Sequence, residues 1–584
     1  VEGMDVNAQY AYNYYTRDMK DWSPTMPRFL ADGTPHTGNS QAVNSVSESR
    51  LNTVTQTFNT TLNYVKQISR HELKLLAGFS QESAVIPYLS ASRQKVLLDG
   101  IEVIDAGTEN IRNSGTEEHW GLRSYFGRLN YDFASKYLFE ANIRYDGTSR
   151  FSKNNRWGTF PSFSTGWRFS EEKFMDFSKD FLDSGKLRAS WGELGNQNIS
   201  SDYYPYLIEI ERVEKAYPIG NKENVGFKQY ALANENIKWE TIRMFNIGVD
   251  MVALDNRLDF SFDWFKKINR NALLKPIYPS IIGITATSNL PFENVGSIEN
   301  KGWEISLNWR DKIGQVNYGL TANLSDAKNK ITDLGNSTPS LGNNIRRVGD
   351  PINAYYGYLT DGLAQVTDFE SYNESTQRYE NPKFPLISSY AAIIQPGDII
   401  YRDISGENGN PDGKIDDYDK VVFGNPYPRY TYSLRGFAEW RNFDFSFYLQ
   451  GVAKVDGYLS EEARHAFIND YSIPKKAHLD RWTPNNQDAS YPRMYYQPDH
   501  NVVFSDYWLE DASYLRLKNI QLGYNIPKSL INKMKISNLK VFLTIDNLFT
   551  LTNYFGGFDP EVRETSGDAY PQLKTYAIGV QLGF

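Results

Sequence analysis

No cysteine occurs in this chain, so it contains neither disulfides nor thiol chemistry, and a thiolate metal site is excluded. Long apolar runs are also missing. No stretch of about 18 apolar residues exists, which excludes a transmembrane helix. Mean hydropathy is low, at −0.55, although 15% of residues are aromatic. The first ten residues, VEGMDVNAQY, carry neither a charged start nor an apolar core, so they do not read as a signal peptide. No basic patch dominates a net charge of −8, which argues against nucleic acid as a partner. The six histidines, at 36, 71, 119, 465, 478 and 500, show no metal-binding spacing. There is no G-x-S-x-G, phosphate loop or cysteine nucleophile, so the sequence reads as a non-enzyme.

What the chain does have is two-residue alternation. Tyr125, Leu129, Tyr131 and Phe133 fall on one side of a strand, and Arg128, Asn130 and Asp132 on the other. Tyr137, Phe139, Ala141, Ile143 and Tyr145 oppose Glu140, Asn142, Arg144 and Asp146. Leu258, Phe260, Phe262 and Trp264 oppose Asp259, Ser261 and Asp263. Trp303, Ile305, Leu307 and Trp309 oppose Glu304, Ser306, Asn308 and Arg310. Phe443, Phe445, Phe447 and Leu449 oppose Asp444, Ser446 and Gln450. The last repeat, Tyr576, Ile578, Val580, Leu582 and Phe584, ends on an aromatic.

A soluble β-sandwich also alternates. Two features favour a membrane barrel instead. The alternating segments are about 9–11 residues, long enough to cross hydrocarbon at a tilt. Aromatics gather near strand ends, as interfacial girdles do. The chain reads as roughly 16 strands in which short links alternate with long ones, the outer-membrane arrangement. Short links fall at Gln67–Arg70, Ala134–Lys136, Ala253–Asn256, Asp311–Ile313 and Trp440–Asn442, with longer ones near Ser170–Gly185 and Asn525–Asn538. Long polar links fall near Tyr15–Thr55, Gln81–Gly121, Leu194–Glu240, Lys267–Asn300, Ala327–Pro428, Gly451–Asp511 and Asn547–Leu573. The fold class is therefore all-β: a transmembrane antiparallel β-barrel with long extracellular loops, in the outer membrane and in contact with its lipid.

Several segments carry a resemblance. They include RYDGTSRFSKNNRWGTFPSFSTGWRFSEEKF at Arg144–Phe174, KLRASWGELGNQNI at Lys186–Ile199 and NVGSIENKGWEISLNW at Asn294–Trp309. Others are YYGYLTDGL at Tyr355–Leu363, the segment Gln395–Pro428, RWTP at Arg481–Pro484, DASYLRLKNIQLGYNIPKSL at Asp511–Leu530 and FLTIDNLFTLTNYFGGFDPEV at Phe542–Val562. In this order they resemble the SusC family of TonB-dependent transporters of the Bacteroidota. The resemblance implies a 22-strand barrel around an N-terminal plug, a SusD-like lipoprotein as lid, and energy from the TonB complex. It implies active import of oligosaccharides, or of oligopeptides, and often a dimer of transporter–lid pairs. Residues 1–584 then read as the C-terminal part of the barrel, with the plug, the TonB-contacting segment and the first strands absent through truncation, proteolysis or chain not seen. A passive porin and a surface glycan-binding barrel are the alternatives.

One local stretch suggests a metal. Asn408–Asp419, NGNPDGKIDDYD, overlays a calcium loop, with oxygen ligands at Asn408, Asn410, Asp412, Asp416 and Asp419 and the backbone carbonyl of Lys414. Position one is Asn and position twelve Asp, both departures from the usual loop, and Asp403, Ser405 and Glu407 are further oxygen donors nearby. The plainer reading is a polar turn; the calcium reading makes the ion a structural brace. Loop aromatics Trp22, Tyr203, Tyr204, Tyr206, Tyr355, Tyr356, Tyr358, Tyr495 and Tyr496 are candidates for stacking on solute, against loop packing as the commoner role. Lumen charges Arg128, Arg144, Asp146, Arg150, Glu304 and Arg310 could guide solutes or contact a plug, and plug contact is the expected role.

Overall fold

The computed structural model describes residues 3–583 except 37, 39–41, 99, 199–202, 220–221, 230–231, 277–289, 336–338, 470–471, 532–535, 566 and 568. The terminal Phe584 and part of the 267–300 link lie outside the described residues.

Sixteen strands form one sheet whose order follows the chain. They are β1 Met4–Ser23, β2 Ser45–Ile68, β3 His71–Val96, β4 Gly107–Phe133, β5 Tyr137–Thr148, β6 Trp157–Trp167, β7 Leu182–Asn196 and β8 Glu240–Ala253. The second half is β9 Leu258–Arg270, β10 Ser297–Ile313, β11 Val316–Asp333, β12 Tyr430–Trp440, β13 Phe443–Ala453, β14 Tyr514–Asn525, β15 Asn538–Thr552 and β16 Thr575–Gly583. Among the described residues no helix is long and apolar enough to cross a membrane.

The short links lie where alternation breaks. Ala134 and Ser135 both take positive φ, as do Leu254, Asp255 and Asn256, and Gly314 opens the β10–β11 turn at φ 59°. Two successive positive φ values suit the twist of a tight hairpin. The β10–β11 turn comes at 314–315, just beyond the expected Asp311–Ile313, because alternation continues to Ile313.

Strand length departs from expectation. Instead of 9–11 residues, β1 to β4 run to 20, 24, 26 and 27. Trp22, expected in a loop, ends up in β1 opposite Val46. The expected link Gln81–Gly121 shrinks to 97–106. The physical reason is that alternation is imposed only where one face meets lipid. Beyond that level both faces are wet, and hairpin hydrogen bonds can continue without an apolar stripe.

The apolar faces are exposed. Phe139 is 41% and Ile143 53% accessible, and Tyr125, Tyr137, Tyr145, Leu543 and Val580 are exposed likewise. Register keeps them together: Tyr125 faces Tyr145, Tyr131 faces Phe139, and Gly127 faces Ile143. A sandwich would bury this side, whereas a lipid-facing barrel wall shows it. Ile143→Arg is expected to destabilise the chain by about 2–4 kcal/mol in a bilayer. Asn142→Arg, one residue away on the polar face, should cost far less. Urea unfolding in lipid vesicles measures both.

The chain clusters into two compact units. One is Val1–Gly166, Ser190–Arg243 and Asn269–Val295, and the other is Trp167–Ala189, Met244–Ile268 and Gly296–Phe584. In the first, Phe151, Phe160, Ile237 and Trp239 make a small core. In the second, the long links after β11, β13 and β15 build an assembly of their own. Ala354–Gly357 pairs with Asn344–Ile345 and Val421–Gly424, and Thr360–Leu363 pairs with Ile399–Tyr401. Asp456–Leu459 pairs with both Leu509–Asp511 and Glu564–Thr565. Their core is aromatic: Tyr355, Tyr358, Tyr401, Tyr458, Tyr491 and Trp508 with Ile399 and Ile415.

Candidate functional site

The polar faces of β9 to β13 line a recess of about 300 Å³. Its walls include Ser261 and Asp263 from β9, Glu304 and Ser306 from β10, Asn323 and Ser325 from β11, Thr431 and Ser433 from β12, and Gln450 from β13. These are the positions that alternation assigns to the side opposite lipid. Glu304 therefore sits where expected. The hydroxyls, carboxamides and carboxylates here can hydrogen-bond a hydrated solute or another polar surface.

Charges on this face are mostly paired. Arg188 of β7 grips two carboxylates: Nε and Nη2 donate to Asp250 at 2.7 and 2.8 Å, and both Nη donate to Asp263 at 3.0 Å. A Cβ at Gly248 would strike this ion cluster, with Asp263 Oδ1 at 2.6 Å and Arg188 Nη2 at 2.8 Å. Arg243 donates to Glu193 at 2.8 Å, and Lys540 pairs with Asp444 at 2.6 Å. Of the charges singled out in the sequence, Arg144 pairs with Asp146 at 3.0 Å and lies over the Phe126 ring. Arg150 lies over the Tyr203 ring at 4.4 Å. The Arg188 triad was not foreseen. Only Asp263 stood out as a polar-face charge, and the register that brings Arg188 and Asp250 to it across three strands leaves no local signal.

The loop aromatics separate into two groups. Tyr355, Tyr356 and Tyr358 are buried and serve packing, as the plainer reading held. Tyr204 accepts the His119 backbone N–H at 3.0 Å. Tyr496 is exposed.

The 408–419 loop is held by its own carboxylates. Asp419 is fully buried (0%). Its Oδ1 accepts the N–H groups of Ile404 and Ser405 at 2.8 and 3.1 Å, and its Oδ2 accepts that of Asp416 at 2.8 Å. Asp403 accepts Gly413 N–H at 2.6 Å, Asp412 accepts Lys414 N–H at 3.1 Å, and Asp416 accepts Tyr418 N–H at 2.9 Å. Asn410 donates to the Asn408 carbonyl at 3.5 Å. Among the described residues no group of three His, Asp or Glu side chains is set to hold a metal.

Three histidines lie inside the loop assembly. Burial drives the His465 imidazole down to about 3, and the neighbouring Arg464 charge pushes the same way. Burial also lowers His478 and His500. His478 Nδ1 accepts Lys475 N–H at 2.8 Å while Nε2 meets the Arg464 carbonyl at 2.9 Å, so only the neutral Nε2–H tautomer satisfies both. His500 Nε2 meets the Ile399 carbonyl at 2.7 Å. All three have folded values below the ordinary 6.5, so the unfolded chain takes up protons first as pH falls. Their stability contribution is complete above about pH 6.5 and falls below it, by at most about 1.4 kcal/mol per histidine per pH unit until the folded imidazole itself takes up a proton. The loop assembly should thus loosen between pH 6.5 and 4. Hydrogen exchange of residues 456–511 against pH checks this, and flat protection across the range would contradict it.

The comparisons with known proteins agree with this geometry. The family described as TonB dependent receptor-like, beta-barrel, matches residues 3–548. TonB-dependent receptor P3 of Formosa agariphila is 28% identical over 550 residues, covering 90% of this chain and 52% of its own. TonB-dependent receptor SusC of Bacteroides thetaiotaomicron is 31% identical over 474 residues, covering 79% of this chain and 44% of its own. A solved chain of the RagAB peptide transporter superposes with a TM-score of 0.82 at 22% identity, over 100% of this chain and 60% of that one, which speaks for the fold. The chain spans about half the length of the curated relatives it matches. With a polar recess behind a lipid-facing apolar wall, and a family match over most of its length, the chain belongs to the TonB-dependent receptor-like β-barrel family of the outer membrane, as a SusC-like member.

Proposed function

We propose that this chain forms most of the wall of an active outer-membrane importer of oligosaccharides or oligopeptides. It works with a SusD-like surface lipoprotein and draws its energy from TonB. The 16 strands belong to a barrel of about 22 that holds a plug, and the importer assembles as a dimer of transporter–lid pairs. The observation that carries the reading is the polar recess on the inner faces of β9–β13, set in a family whose relatives are named TonB-dependent receptors. Transport through such a wall needs gating and binding, with no covalent step.

The test is uptake of labelled oligosaccharide and oligopeptide by cells carrying the complete protein and its lipoprotein. Collapse of proton-motive force should abolish uptake. Undiminished uptake would make the protein a passive porin, and binding without flux would make it a surface glycan-binding barrel.

Calcium at the 408–419 loop is a separate proposal. Asn408, Asn410, Asp412, Asp416 and Asp419 with the Lys414 carbonyl are an all-oxygen set, which suits a hard cation. Terbium added to the protein should luminesce on excitation of the adjacent, exposed Tyr418, and calcium should displace it. Absence of emission would leave the loop held by its hydrogen bonds alone.

A further inference from the structure

The inner face of β1–β4 continues past the alternating region as an open trough of about 750 Å³. The register builds its floor. Met19, Ser49, Ser90 and Ser114 form one row across the four strands. Asp21, Ser47, Ser92 and Arg112 form the next. Five serines thus occupy neighbouring positions, and Ser90 and Ser114 hydroxyls lie 2.8 Å apart. Larger side chains at these positions would fill the trough. One row deeper, Tyr88 stands beside Leu51 and Arg17. The same face carries Asn59 and Ser80 lower down, joined by a 2.6 Å hydrogen bond, so the trough leads onto the polar side of the wall.

Charge is placed at the corners. Arg17 and Arg112 are exposed, and among the described residues neither pairs with a carboxylate. Of the two carboxylates on the lining, Asp21 is at the far end of Arg112's row, three strand spacings or about 14 Å away, and Glu48 stands between Ser47 and Ser49, so alternation puts it on the other face. Backbone hydrogen bonds run in the plane of the sheet and not out of its face, so a peptide lying across this floor cannot add as a strand. Sugar rings meet such a surface through hydroxyls and an aromatic ring, and guanidinium groups take oxyanions in a two-toothed grip.

We propose that this trough binds an oligosaccharide carrying acidic groups. Tyr88 and the serine floor meet the rings, while Arg17 and Arg112 hold the oxyanions. The proposal rests on the importer reading and narrows its substrate to anionic glycans.

The test is calorimetric titration of the complete transporter with its lipoprotein, using tetragalacturonate, a sulfated tetrasaccharide, neutral maltotetraose and tetraglutamate. One or both acidic sugars should bind at least tenfold more tightly than the neutral one, and which of them binds identifies carboxylate or sulfate. Combined Arg17→Gln and Arg112→Gln should remove that margin, and Ser90→Leu should weaken binding by filling the floor. Unchanged heat-modifiable migration of the variants shows that the barrel has assembled. Failure of both acidic sugars, preference for tetraglutamate, or undiminished binding by the double variant would overturn the trough. Uptake driven by proton-motive force is followed in parallel. Uptake without acidic-sugar binding leaves the importer standing and the trough refuted, whereas binding without driven uptake does the reverse.

Discussion

Arg516→Ala is expected to destabilise the β14–β15 part of the wall by about 3–5 kcal/mol, the range for removing one partner of a buried ion pair. Arg516, on β14, is 2% exposed. Its Nη2 donates to both oxygens of Asp559 at 2.8 Å, its Nε donates to Thr550 of β15 at 2.8 Å, and Glu561 lies 3.2 Å from Nη1. Lys518 also reaches Glu561, at 2.6 Å, so Glu561 keeps a cationic partner when Arg516 is lost. Removing Arg516 strands the Asp559 carboxylate in a nearly closed site. The segment around Phe555–Val562 should then detach from β14 and β15. Arg516→Lys should recover only part of the loss. Urea unfolding reports the size of the effect, and limited proteolysis at the 553–574 link reports its place. An unchanged cleavage pattern would show that the pair is ornamental.

The second large effect is expected at Trp508. It is 1% exposed and sits at the centre of the aromatic core. His465 meets its ring edge-on at 4.6 Å, Tyr507 at 4.9 Å, and the Arg464 guanidinium lies over it at 5.2 Å. Its indole N–H donates to the Asn501 carbonyl at 2.8 Å. Trp508→Ala leaves a cavity and an unfilled acceptor, at a cost of about 3–5 kcal/mol. Trp508→Phe keeps most of the volume and should cost less. The loss should be confined to the loop assembly. Exchange protection at 344–424 and 456–511 should fall, while protection of β10–β13 should hold.

The first of these sites joins two of the segments that carry the resemblance. Arg516 stands in DASYLRLKN and Asp559 in GGFDPEV, two motifs noticed separately in the sequence and now joined by one ion pair. Asp398, within the Gln395–Pro428 segment, is fully buried and meets Arg493 and Asn501. Asp419 caps Ile404 and Ser405 within that same segment.

Strand number, strand order and the two faces of each strand were legible, because one face meeting lipid leaves a period of two in the residues. The upper halves of β1–β4 were not, because water on both sides imposes no period. The small sheets of the long links were also hidden. Thr360 pairs with Tyr401, and Tyr458 pairs with Glu564. Strands of two to five residues with partners that far along the chain leave no local signature. The polar recess could be anticipated as a face but not as a place, since register between strands decides which side chains converge.

The central claim is that alternation divides each strand between lipid and water. These 584 residues contain no cysteine, so single cysteines at Leu543 and Thr544, neighbours on β15, are distinct labels within this part of the wall. Leu543 is exposed on the apolar side, and Thr544 donates to Gln521 across the polar side. In outer membranes, a charged maleimide should label the cysteine at 544 and spare that at 543. A lipid-borne quencher should report the opposite order. Labelling of 543 by the charged reagent, with 544 protected, would contradict the account.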